Sequence, residues 1–434
     1  MQQRANFCYT ICCFPWGSRG VLTRILALDL WKPLKWLSFR RLWTAAGISM
    51  LADQAFLVAL TWLVLRIAGS GAELGAVLAV ASVPGAILMP LGGVLSDRSS
   101  PVLIMICTSV GRVLLLALLA ALILTDAIQL WHVYVISAGL STLDAFYYPA
   151  SMAILPSLVN QDRLGAANAL IQGVEQASGI LGPALAGSLL ALAGLGASFG
   201  ATALLFLVAT ALLGTLARTA NQAAAPADSA PEQEGSTTRS ELVEGLRYAL
   251  RDPVIRSLLL IVLGTNVAMM GPLYVGGAVL VEMRLGGAGA FGTLVAAAGA
   301  GSLIGIVIAG SARRFRRRGL IELFLTAVLG IVVASIAFVP NLAVAIPLAI
   351  AIGATASFLG VITISWLQER AEPSLLGRVM GLVMFSAVAL DPISFALAGV
   401  LVEINLEATF VGAGALLVLT ASLGAMTRTM RTAD

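Results

Sequence analysis

The chain has 434 residues, of which 59% are hydrophobic and only 11% charged, with 26 Lys and Arg against 22 Asp and Glu. That much apolar surface is more than one soluble core can hide, which excludes an ordinary water-soluble domain and makes a bilayer the natural solvent. The net charge of +4 is met by basic loops at a membrane surface and requires no nucleic-acid partner.

Residues 1–38 form an N-terminal extension in which FPWGSRG and WKPLKW interrupt any continuous apolar run, so it suits a segment lying on the inner membrane surface. No small-residue cleavage site follows its short CYTICCF stretch, which argues against a signal peptide. Cys8, Cys12 and Cys13 lie here and Cys107 inside a span, which does not make a disulfide framework, and no histidine or acid stands near them to build a metal site.

A spanning helix needs roughly 20 apolar residues. By that measure twelve spans follow, near 42–67, 72–95, 102–124, 131–158, 166–193, 196–217, 257–281, 288–311, 320–339, 342–367, 378–402 and 408–427. The runs are continuous rather than alternating, so they are helices and not barrel strands. The polar stretch ANQAAAPADSAPEQEGSTTRSE, 220–241, reads as a flexible linker passing into a surface helix around ELVEGLRYALRD. The chain therefore divides into the extension, a six-helix bundle at 39–218, a linker at 219–254, a second six-helix bundle at 255–428 and a tail at 429–434.

Basic residues set the orientation. Lys32, Lys35, Arg40, Arg41, Arg98, Arg163, Arg218, Arg247, Arg256, the run ARRFRRRG at 312–319, Arg370, Arg378 and Arg428 all fall on one side, and the opposite loops hold only Arg66 and Arg284 as basic residues. The rule that basic loops stay inside puts both termini in the cytoplasm. His132, the sole histidine, falls at the outer interface.

The two halves repeat one another. SFRRLW opens span 1 and VIRSLL opens span 7, with Gly93 lying 53 residues beyond Arg40 and Gly310 lying 54 beyond Arg256. LPSLVNQDRLGAANAL (155–170) also lies on LQERAEPSLLGRVMGL (367–382) without a gap. Between spans 2 and 3 stands GGVLSDRSS, and around it FRRLW, WLVLRIAGSG, YPASMAILPSLV, RLGAANAL and LLGRVMG. These segments resemble the major facilitator superfamily, and in particular its efflux branch of drug:proton antiporters, macrolide exporters and the enterobactin exporter. The resemblance covers residues 38–428. Gly93, Leu95, Ser96, Asp97 and Arg98 match the family's loop 2-3 signature, whose later basic positions are here Pro101 and Val102.

Ionisable residues inside spans are the informative ones, because each costs about 2.5–3.5 kcal/mol at a helix centre. Five are apparent: Asp53, Arg112, Asp144, Glu175 and Asp391, with Asp144 lying 12 residues after His132 and Asp391 13 after Arg378. All fall about 15–20 Å deep in a roughly 30 Å core, which implies one midplane site facing the bundle interior. Four acids against one Arg cannot all be neutralised by pairing, and an unpaired carboxylate in such a setting favours its protonated form. Arg112 is therefore expected to pair with Asp53 or Asp144, with Glu175 or Asp391 carrying a proton. Phe146, Tyr147, Tyr148, Met269, Met270, Met384 and Phe385 could line an adaptable apolar pocket.

Span 5 carries SGILGPALAG, where Pro183 removes a backbone donor and Gly182 and Gly187 permit close helix approach. With Ser178 it is similar to the family's antiporter signature, although Ala or Ser replaces three of its glycines. Gly93 permits a tight helix end in the loop 2-3 motif, and the resemblance implies a conformational gate there between spans 2 and 11, carried by Gly93, Asp97 and Arg98.

Nothing resembles an enzyme: Walker, HExxH and paired-cysteine motifs are absent, and a Ser-His-Asp arrangement would depend on His132 alone. The expected protein is an all-α, twelve-span secondary transporter of the bacterial inner membrane. It would act as a monomer, use a proton gradient with no cofactor and no metal, and export drugs or small amphiphilic metabolites by alternating access. A dedicated siderophore or natural-product exporter is the alternative within that class, and a non-transporting receptor or lipid-handling protein the alternative outside it.

Overall fold

The computed structural model describes residues 29–223, 247–248, 251–311, 317–372, 379–380, 382–383, 386, 390–426 and 430. Cys8, Cys12, Cys13, most of the linker, the core of the ARRFRRRG run, Arg378, Met384 and Phe385 lie outside the described residues. Within them, nine helices are long and apolar enough to cross a membrane. After a short 3-10 turn at Asp29–Lys35, helix α1 runs over Leu37–Ala68, starting earlier than its apolar run suggests. It stops at Gly69, which takes a left-handed φ of 64° and returns its N–H to the Leu65 carbonyl at 2.8 Å. Ser70 immediately caps α2 (Gly71–Arg98), accepting from the Glu73 amide, so two spans join with almost no loop.

Helix α3 (Pro101–Leu124) opens on a proline, which loses nothing at a position whose N–H has no partner. Helix α4 (Leu130–Leu158) opens on a capping box in which the Gln129 amide donates to Nδ1 of His132 at 3.0 Å. The sole histidine is thus a cap. It also lies 3.8 Å, centroid to centroid, from the Trp131 ring.

The next element, Leu164–Ala223, is 60 residues long and broken by Gly194 at φ 80° and ψ −175°. A straight helix of that length would measure about 90 Å. Instead Trp43 of α1 donates to the Leu170 carbonyl and Arg41 to the Thr215 carbonyl, so both ends of the element lie at one level. The arms 164–193 (α5) and 195–223 (α6) are therefore two crossings hinged on a glycine.

In the second half, α7 spans Pro253–Leu285 and is capped by Asp252, which accepts from the Val254 and Ile255 amides. It contains two π-helical stretches, Pro272–Gly276 and Val281–Leu285. Helices α8 (Ala288–Ser311), α9 (Arg318–Ser335), α10 (Leu342–Arg370), α11 (described over Asp391–Ile404) and α12 (Leu406–Met426) complete it. The Gly194 break and the additional helices α4 and α11 make the architecture compatible with twelve spans in two six-helix bundles.

Lipid tails are as apolar as leucine, so helices associate here through close packing of small residues. A Cβ added to Gly75 of α2 would lie 2.7 Å from the Gly399 Cα of α11, and one added to Gly292 of α8 would lie 2.8 Å from the Gly187 Cα of α5. These two crossings join the halves. They lie toward the face opposite the basic residues, where a single apolar cluster gathers Leu63, Phe199, Val275 and Phe291 from both halves. Toward the basic face the core divides into two separate clusters, one around Phe39 and Leu213, the other around Leu258 and Trp366.

Candidate functional site

Arg112 projects from the middle of α3 with its side chain only 2% exposed. It forms an ion pair with Asp144 of α4, and its Nη1 lies 3.9 Å from Asp53 of α1. The Tyr147 ring sits 4.2 Å from the guanidinium carbon and the Phe206 ring of α6 5.3 Å, so aromatic faces cover what the acids leave open. Tyr147 is itself held by a long 3.4 Å hydrogen bond to Ser49. Four helices of the first bundle thus converge on one cation.

The acids face the other way. Asp53 and Asp144 are 44% and 47% exposed and line a cavity of about 320 Å³ bounded also by Met50, Met89, Tyr148 and Met152. Two carboxylates share one guanidinium, so the site carries an excess negative charge when both are ionised. A proton or a cationic ligand can neutralise it.

The remaining sequence candidates are distributed around this cluster. Glu175 is exposed on α5 and makes no ion pair among the described residues. Asp391 begins the described run of α11, and its Oδ1 is buried with no hydrogen-bond partner among the described residues. Phe146 packs against the apolar cluster at the basic end, and Met269 against the core of the second bundle, so neither lines this cavity. Met270 is partly buried on α7.

On α5, the buried Ser178 donates to the Gly47 carbonyl at 3.4 Å, while a Cβ on Gly182 would meet the Gln54 side chain and the α1 backbone. The helix continues through Pro183, whose carbonyl approaches Gly292 of α8. The antiporter-like segment is therefore a packing surface on two sides.

The loop 2-3 motif requires a correction. Helix α2 does not end at Gly93 but continues to Arg98, and a Cβ on Gly93 would meet nothing within 4 Å among the described residues. Its neighbour Gly92 is the close-packed one, set against the backbone of Ala145 on α4. Ser96 turns back to the Gly92 carbonyl at 2.8 Å, and Arg98 is exposed. The Asp97 side chain lies outside the described residues.

Sequence reasoning also passed over several groups. Met50, Met89 and Met152 look like ordinary apolar span residues until the fold turns them into one cavity. Glu322 is a sixth ionisable residue inside the spans, fully buried on α9. Its position near a predicted span end concealed it. Glu403, readable only as a loop charge, reaches across to the first bundle and accepts from the Gly71 amide at 2.6 Å, the Ser70 hydroxyl at 2.9 Å and the Ala72 amide at 3.3 Å. It caps the N-terminus of α2 from the opposite half.

The halves are thus clamped at the face carrying Glu403. Toward the basic face, Gly165, Gly173 and Gly310 have no neighbour among the described residues within 4 Å of an added Cβ, and Ile87, Leu91 and Val94 of α2 are at least half exposed. Among the described residues, no comparable clamp or glycine crossing joins the halves toward the basic side.

Comparison with known proteins bears on the family and the fold. The Major Facilitator Superfamily profile matches residues 42–390. The chain belongs to the major facilitator superfamily. An uncharacterised MFS-type transporter of Sinorhizobium fredii, y4rN, is 28% identical over 389 residues, covering 87% of this chain and 91% of its own. YfiS of Bacillus subtilis, likewise an uncharacterised MFS-type transporter, is 26% identical over 385 residues, covering 86% and 88%. The fold matches the solved nucleoside transporter NupG with a TM-score of 0.70 at 12% identity, covering 90% of this chain and 99% of that one. A bacterial homologue of the iron transporter ferroportin, solved in an inward-facing state, matches at 0.68 and 17% identity, covering 90% and 98%.

This major facilitator protein is accordingly a multi-pass membrane transporter of a small molecule and not an enzyme. Its Glu403 clamp has a pH signature. The Ser70 hydroxyl, with the Ala72 and Gly71 amides, holds the Glu403 carboxyl below the usual carboxylate range. A lowered value means that the ionised clamp stabilises closure at neutral pH and loses that contribution as pH falls through the lowered value. Glu403→Ala is expected to raise reactivity of a cysteine placed at Val402, which is 7% exposed behind the clamp, and to remove the acid dependence of that reactivity. Maleimide labelling across a pH series measures both.

Proposed function

We propose that this transporter exports cationic drugs or amphiphilic metabolites by proton antiport, with its basic face in the cytoplasm. The observation that carries the reading is the shared guanidinium: Arg112 holds Asp144 in a direct pair and leaves Asp53 at 3.9 Å, facing the cavity. The loosely held carboxylate can take either a proton or the charge of a bound cation. Because one negative charge cannot satisfy both, arrival of either displaces the other, which is the chemical requirement for exchange.

The cavity suits an amphiphile. Methionines at 50, 89 and 152 supply flexible, polarizable apolar surface, and Tyr148 adds an aromatic face with a polar end. In the state open to the basic face, the substrate enters from the cytoplasm and releases the proton from Asp53. The clamp at Glu403 and the glycine crossings then part, the halves rock, and a proton from the other side expels the substrate. The positive-inside rule supports the orientation, since nearly all loop arginines lie on one side.

Binding of tetraphenylphosphonium to the purified protein in weakly buffered solution tests the exchange directly. Protons should be released on binding by the wild-type protein and not by Asp53→Asn. Binding without proton release would remove the basis for antiport.

A further inference from the structure

Glu322 belongs to no part of the cavity. It lies on α9 at 0% exposure, and Oε1 sits 2.5 Å from the Thr363 hydroxyl of α10, while Oε2 has no hydrogen-bond partner among the described residues. The nearby Thr326 hydroxyl is committed to the Glu322 backbone carbonyl at 2.8 Å and gives the carboxyl nothing.

An ionised carboxylate has about four lone-pair positions to satisfy, and here one hydroxyl meets one of them. Among the described residues around it, the charges are engaged or distant. On α9 itself Arg318 pairs with Glu369, on α10 Arg370 pairs with Asp252, and α12 carries Glu407 at its far end, paired with Arg284. Arg256, on the α7 segment packed nearby, is exposed. Among the described residues Glu322 has no ion-pair partner. One carboxyl and one hydroxyl are also too few oxygens for a metal cation. The neutral acid, by contrast, fits as it stands, because the Thr363 oxygen can accept its O–H at the same short distance.

We propose that Glu322 is a second proton-binding site, set in the C-terminal half apart from the central cavity and reached from the basic face through the Arg318–Glu369 pair. Arg318 precedes Glu322 by four residues and so lies on the same face of α9, about 6 Å nearer the helix start. Its guanidinium grips Glu369 through two contacts of 2.6 and 3.3 Å, with Glu369 63% exposed and Arg318 16%. The pair stands one turn from Glu322, toward the start of the helix on that face. When it opens, the proton can leave, and the resulting buried charge disfavours the packing of α9 against α10, linking protonation to the conformation of this bundle. The inference goes beyond the exchange at Asp53 and stands whether or not that exchange occurs.

Infrared difference spectroscopy of the full-length protein in lipid nanodiscs tests it without a substrate. The wild type minus Glu322→Gln spectrum should contain a protonated-carboxyl carbonyl band at neutral pH. Thr363→Val should shift that band without abolishing it, and Arg318→Gln should speed its deuterium shift on transfer to heavy water. Equal carboxyl absorption in wild type and Glu322→Gln at every pH, or a band unmoved by Thr363→Val, would overturn the site. Unchanged exchange in Arg318→Gln would overturn the route.

Discussion

Arg112→Gln abolishes transport and destabilises the first bundle. The guanidinium is 2% exposed between Asp144 and Asp53, with the Tyr147 ring against it, so its removal leaves two carboxylates on one cavity wall without a counter-charge. Deleting one member of a fully buried pair costs about 3–5 kcal/mol, and the cost here is smaller because the abandoned acids, 44% and 47% exposed, face the cavity. The expected result is a fall in thermal unfolding temperature together with loss of proton-linked substrate movement. Arg112→Gln combined with Asp144→Asn should recover much of the stability, because a single acid then remains, but not the transport. A purified Arg112→Gln protein as stable and active as wild type would show that the ion pair is incidental.

Gly75→Leu locks the protein out of the clamped state. The Cβ alone would come within 2.5 Å of the Phe395 carbonyl oxygen and 2.7 Å of the Gly399 Cα, and backbone cannot yield as a flexible side chain can. The variant should fold, because this contact joins the two bundles and neither bundle depends on it internally. It should stay open at the Glu403 face and transport nothing. A cysteine at Val402 in a cysteine-free background would then label rapidly, whereas Gly412→Leu, where nothing lies within 4 Å, leaves labelling and transport unaffected. Slow labelling and normal transport in Gly75→Leu would mean that the crossing opens by another route.

The spans were legible because a bilayer forces long apolar runs on any helix that crosses it. Depth was legible for the same reason, which is how Asp53, Arg112 and Asp144 were singled out. Depth is one coordinate, however, and a site needs the angle around each helix as well. Asp53 and Asp144, the partners expected for Arg112, both face it, whereas Glu175 and Asp391 do not join it. Gly92 and Gly93 are indistinguishable as letters, and only the rotation of α2 puts the former against Ala145 and leaves the latter with no described neighbour within 4 Å. The Gly194 break falls in the gap between the spans expected at 166–193 and 196–217, where a single glycine serves in place of a loop. Glu403 could not be read as a clamp, since its partners lie more than 300 residues away on the other half.

Substrate-driven proton movement in inside-out membrane vesicles, scanned over hydrophobic cations, macrolides and siderophores, bears most directly on exchange at the Arg112 cluster. Addition of a transported cation to energised vesicles should dissipate the pH gradient, and Asp53→Asn should eliminate the response while leaving the protein in the membrane. Transport of a cation that leaves the gradient untouched, or a response undiminished in Asp53→Asn, would contradict it.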